Sequence, residues 1–146
     1  EVSYPPDSNI LDKTSLFHSW QVRKSNEELS RRINRYYPIG QLLDILPEER
    51  GDSKRIVRLR IKGSEDEVVV KGLRIRSVLG LRETYFVIDR KYGPGGQVTE
   101  FTFSGRGWGH GVGLCQVGAY GMARSGAAYQ EILKKYYHGI AIKKIY

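Results

Sequence analysis

The sequence predicts an α+β fold: a curved antiparallel sheet or small β-barrel with three helices, at about 26–36, 112–124 and 127–138. Three observations carry this. Residues 56–62 alternate, with Val57, Leu59 and Ile61 on one face and Arg58, Arg60 and Lys62 on the other, the mark of a half-buried antiparallel strand. Ser25-Asn26-Glu27-Glu28 is a capping box that opens a helix. Phe103–Gly126 carries glycine at 105, 107, 109, 111, 113, 118, 121 and 126, more than a simple strand-to-helix crossover needs.

In chain order, residues 1–19 hold Pro5-Pro6, Asp7, Ser8 and Asn9 and read as an extended lead-in. Phe17 and Trp20 are the first core or interface residues, with His18 packed or exposed between them. The first helix places Leu29 and Ile33 on one face, gathers Arg31, Arg32 and Arg35 toward its positive-tolerant C-terminal end, and stops before Pro38. A short strand over Gln41–Leu46 is closed by Pro47. After Ile56–Lys62, Gly63-Ser64-Glu65-Asp66 forms a hairpin loop and Glu67–Lys71 the returning strand. Ile75, Val78 and Leu79 have helical spacing in a short apolar turn. Thr84–Asp89 is rich in β-formers, Gly93-Pro94-Gly95-Gly96 is a turn, and Val98–Phe103 delivers the glycine-rich stretch. In the second helix Leu114, Gly118 and Gly121 share a close-packing face. Ser125 caps the third, with Tyr129, Ile132, Leu133 and Tyr136 as its buried stripe. Ala141–Tyr146 alternates as a closing strand.

With 146 residues the chain is expected to be a single domain. Its net charge of +8 and isoelectric point near 9.6 favour an anionic partner: nucleic acid, an acidic membrane or a cell-wall polymer. No apolar run reaches the roughly 18 residues of a membrane span. No leader and no initiating Met open the chain, which reads as a mature form or a fragment. The one cysteine, Cys115, excludes an internal disulfide.

The candidate site residues are Arg106, Trp108, His110, Gln116 and Tyr120, all in the glycine-rich stretch. A flat ring stacks on the apolar face of a sugar, while Arg, His and Gln hydrogen-bond its hydroxyl or carboxylate groups. Trp108 suits a core as well as a stacking platform, and Arg106 suits plain solvent exposure. Gln116 on a small-residue helix calls for partners if buried. His110 is expected just before a helix, where backbone N–H groups can hold an anion or a sugar oxygen. A metal site needs about three protein ligands, and only His110 and Cys115 lie near one another, so no metal or cofactor is expected. Cys115, beside Leu114 in a small-residue helix, reads as a buried, inert thiol. Asp66 and Glu67 read as turn acids. No recognised nucleic-acid motif is present.

The stretch F-x-G-x-G-W-G-H-G-V-G-L-C-Q-x-G-A-x-G-M-A from Phe103, continued by G-x-x-Y-x-E-I-L-x-x-Y-Y-x-G to Gly139, resembles the C-terminal signature of the stage II sporulation protein D family, the SpoIID/LytB domain. Ile56–Gly63, Val70-Lys71-Gly72-Leu73-Arg74 and Leu79-Gly80-Leu81 to Phe86 match its upstream steps more loosely. The resemblance implies an extracytoplasmic, bacterial cell-envelope role. Members resemble peptidoglycan lytic transglycosylases, or act as modifiers of cell-wall amidases in sporulation and wall turnover. The implied partners are glycan strands and an amidase. The family's glutamate-bearing N-terminal segment has no counterpart in Glu1–Tyr146, so the chain is expected to be a C-terminal portion whose general acid comes from elsewhere. The resemblance then leaves no certain catalytic residue, with His110 and Gln116 as supporting groups beside that acid. A non-catalytic cell-wall binding module or amidase modifier is the alternative.

Overall fold

The computed structural model describes residues 19–111, 113–143 and 145. They fall into two compact units, one spanning Ser19–His110 and the other lying within Gly111–Tyr146. The expected lead-in, with Phe17 and His18, lies outside the described residues save for Ser19.

The first unit holds two three-stranded antiparallel sheets. One contains β1 (Ser19–Ser25), β6 (Val98–Arg106) and β5 (Phe86–Tyr92), with β6 central. The other contains β2 (Leu42–Arg50), β3 (Ile56–Gly63) and β4 (Glu67–Lys71), with β3 central. The class is α+β as expected, but the strands do not close into a barrel. Two helices belong to this unit, α1 (Asn26–Asn34) and α2 (Arg74–Leu79). The second unit contributes α3 (Gln116–Arg124) and α4 (Tyr129–Tyr136), giving four helices among the described residues where three were expected. The extra one, α2, is the apolar turn of Ile75, Val78 and Leu79. All three are buried, and Gly80 ends the helix at a φ of 68°.

Other differences have local causes. β1 was not anticipated, because Trp20 and Val22 are its only large apolar residues; its alternation shows in burial rather than in composition. β2 runs through Pro47, where a stop was expected. It is an edge strand, where a missing N–H is tolerated, and its register shifts directly after Pro47. α3 begins at Gln116, not 112, since Gly113 has a φ of 80°. Ser125 ends α3 instead of opening α4, its hydroxyl donating to the Gly121 carbonyl at 3.0 Å. α4 starts after Ala128, whose N–H is accepted by the Glu131 carboxylate at 2.7 Å. In the expected stripe of α4, Ile132, Leu133 and Tyr136 are half-buried and Tyr129 is exposed. Residues 141–143 and 145 form no strand. Gly118 does pack closely, as a Cβ there would run into the Tyr136 hydroxyl.

The core of the first unit joins both sheets to both helices. Leu29 and Ile33 from α1 meet Leu59 and Ile61 of β3, Phe86 of β5, and Phe101 and Phe103 of β6. Phe86 lies edge-on to Phe103, with centroids 5.6 Å apart. Polar joints complete the frame. Ser25 caps α1, accepting from Glu28 N–H at 3.1 Å. The Asn26 amide donates to Leu42 O at 2.8 Å and Val98 O at 2.9 Å, tying α1 to both sheets. Arg90 donates to Asp44 and to Ile45 O, each at 2.6 Å. On the open face of β3, Arg58, Arg60 and Lys62 pair with Glu48, Glu49 and Glu67, and the hydrogen bonds that Arg60 donates to Glu67 and then to Glu48 push its pKa up. This basic face is therefore neutralised in place.

Trp20 faces Gly105 across β1 and β6, and a Cβ on Gly105 would collide with the indole ring. Gly105→Ala is expected to destabilise the protein by about 1–3 kcal/mol in urea unfolding. Wild-type stability in that variant would show that the ring can shift freely.

Candidate functional site

The end of β6 builds an anchored turn. Phe101, Phe103 and Gly105 point into the core, which leaves Thr102, Ser104 and Arg106 on the other face. Beyond Arg106, Gly107 has a φ of 75° and Gly109 one of 137°, conformations that side chains rarely adopt. Both places are open, so backbone shape and not crowding requires glycine there.

Four hydrogen bonds fix this turn. Arg106 N–H donates to Tyr85 O at 3.1 Å and Gly109 N–H to Arg82 O at 3.2 Å. The Trp20 indole Nε1 donates to Gly107 O at 2.8 Å, and Arg76 Nη1 to Gly109 O at 2.6 Å. Trp20 itself is buried, so the turn hangs from the core. The result is an outward display of Trp108, which is 58% exposed. The Arg82 guanidinium lies over its ring, 5.8 Å from the centroid, a cation–π contact worth about 0.5–1 kcal/mol at an exposed site. A half-open indole flanked by a cation, on backbone that needs no ordering, is suited to stacking against a flat ligand with anionic or hydroxyl groups.

The five predicted residues divide between the units. Arg106, Trp108 and His110 sit on or beside the turn; Arg106 is half-buried and His110 exposed. Gln116 and Tyr120 are on α3, both exposed, and the Arg124 guanidinium lies 6.0 Å from the Tyr120 ring centroid. Three expectations are corrected. His110 does not stand at a helix start, because α3 opens with Cys115 as its cap. Cys115 is exposed rather than buried, and its Sγ accepts from Gly118 N–H at 3.4 Å. Gln116 is exposed, so burial gives no reason for it to need a partner.

Arg82 and Arg76 were missed. Each acts on the turn from more than twenty residues away in sequence, and neither stands in a motif beyond the loosely matched steps around Gly80. Glu83, beside Arg82, is 1% exposed. Its carboxylate accepts from Thr84 N–H at 2.7 Å and pairs with Arg55 Nη2 at 3.4 Å. That makes it a structural support for the strand entry, not an open acid. Among the described residues no cluster of His, Cys, Asp and Glu is placed to hold a metal, and no helix is long and apolar enough to cross a membrane. Removing the carboxylate in Glu83→Ala leaves Arg55 unpaired and is expected to cost about 3 kcal/mol in chemical denaturation. A loss under about 1 kcal/mol would mean that water compensates Arg55 fully.

The model of a family described as a domain of unknown function (DUF8618) matches residues 7–113. Stage II sporulation protein D of Bacillus amyloliquefaciens is 43% identical over 75 residues, 51% of this chain and 20% of that protein. The amidase enhancer of Bacillus subtilis (strain 168) is 34% identical over 71 residues, 47% of this chain and 9% of that protein. An uncharacterized protein of Brachyspira hyodysenteriae is 62% identical over 39 residues, 27% of this chain and 11% of that protein. The matches thus span a fifth or less of the length of these relatives.

Proposed function

The chain belongs to the DUF8618 family and is related to the stage II sporulation protein D family, and from that premise we propose that it binds peptidoglycan glycan strands and serves in their remodelling as part of a lytic transglycosylase of the cell envelope. The observation that carries this is the rigid display of Trp108 under Arg82 at the end of β6. Indole stacking takes the apolar face of a pyranose, and guanidinium groups take its carboxylate or hydroxyl oxygens. The +8 charge draws the chain to an anionic wall. Arg106 and His110 beside the turn supply further polar contacts to the strand; Gln116 and Tyr120, on α3 of the other unit, are candidate glycan contacts of that unit by itself. Glycosidic cleavage needs a general acid. Glu83 is closed off by Thr84 and Arg55, so in this reading the acid comes from outside these residues, with His110 and Gln116 as supporting groups.

A second reading, a non-catalytic modifier of a cell-wall amidase acting outside the cytoplasm, is favoured by the similarity to a protein named amidase enhancer. The two part on whether the chain changes an amidase's rate on intact peptidoglycan in the absence of any glycan cleavage.

The test is incubation with peptide-stripped glycan strands, a pull-down of the polymer, and mass spectrometry of soluble products. Wild-type chain is expected to be retained without releasing anhydro-muramic ends, and Trp108→Ala to bind about tenfold more weakly, about 1.4 kcal/mol. Equal retention of the variant would remove Trp108 from the site. Released anhydro ends would place the acid within the chain.

A further inference from the structure

The first unit has a cavity of about 380 Å³ lined by Arg32, Leu73, Arg76, Ser77, Gly80 and Leu81. Two guanidinium groups line it and no carboxylate does. Among the described residues neither Arg32 nor Arg76 is in an ion pair, whereas the arginines of β3 are matched by glutamates. Both are half-buried.

The arginines are held in place by backbone. Arg32 Nε donates to Val78 O at 3.0 Å and its Nη2 to Ser77 O at 2.6 Å, so the last turn of α2 fixes the guanidinium plane. Gly80 makes room for it, because a Cβ there would stand 2.7 Å from Arg32 Cζ. Arg76 spends one N–H of Nη1 on Gly109 O. A guanidinium has five N–H groups, so each arginine keeps donors beyond these bonds. Two cations fixed in one cavity without a counter-charge form a site that an oxyanion completes, at little ordering cost.

We propose that the Arg32–Arg76 cavity binds an oxyanion, the carboxylate or phosphate of a small ligand or of a polymer substituent. Because Arg76 is shared with Gly109, occupancy of the cavity reaches the turn that carries Trp108. Oxyanion binding here does not depend on the glycan reading, since small anions probe it without any polymer.

The experiment titrates the labelled chain with N-acetylmuramic acid, glycerol phosphate and neutral N-acetylglucosamine at one fixed ionic strength, following the arginine Nε–H resonances by NMR. Saturable shifts at Arg32 and Arg76 are expected with one or both anions, and none with the neutral sugar. Which anion binds more tightly distinguishes a carboxylate from a phosphate source. Arg76→Gln is expected to weaken binding at least tenfold, and Arg23→Gln, at an exposed position of β1, to leave it within twofold. If Arg76→Gln fails to fold, Arg76→Lys and the wild-type shift map decide instead, with lysine expected to keep part of the affinity. Absence of saturable shifts at both arginines, shifts of equal size with the neutral sugar, or equal weakening by Arg23→Gln would overturn the proposal.

Discussion

The contact between Trp20 and the end of β6 is the constraint on which the candidate site depends. One side chain does two jobs there. Its ring fills the space that Gly105 leaves open, and its Nε1 holds the Gly107 carbonyl at 2.8 Å. A smaller residue at 20 would leave a void in the core; a larger one at 105 would expel the ring. Either change loosens the start of a turn whose own glycines have few steric limits. The rigidity of Trp108 is therefore borrowed from the core.

The same logic extends to the frame around it. Two sheets and two helices meet around Phe86, Phe101 and Phe103, and side chains bonded to backbone join them: Asn26 to β2 and β6, Arg90 to β2, Arg76 to the turn. Such bonds cross from sheet to sheet and from helix to sheet, whereas each ladder joins strands of one sheet only. They also sort the positive charge. Arginines on β3 are spent on glutamates, while among the described residues Arg32 and Arg76 are spent on carbonyls and not on carboxylates. Net charge alone gives no hint of this division.

Much of the fold was legible because its signals are local. The Ser25 cap, the alternation of β3, the hairpin to β4 and the helical spacing of Ile75, Val78 and Leu79 all depend on residues within a few positions of each other. The errors arose where distant partners decide. β1 pairs with a strand about eighty residues away, and β2 tolerates Pro47 because it lies on a sheet edge. The glycine spacing pointed to a tight backbone around Trp108, and the structure has a turn there with the indole exposed. It could not reveal Arg76 and Arg82, whose contacts exist only after folding, nor that Cys115 and Gln116 face solvent.

The central claim is that Trp20 holds the turn while Trp108 meets the glycan. The chain has two tryptophans, so an indole Nε1–H spectrum contains one resonance for each. Titration with soluble glycan fragments is predicted to move the Trp108 resonance saturably and leave that of Trp20 in place. Two unmoved resonances, or a shift confined to Trp20, would contradict the account.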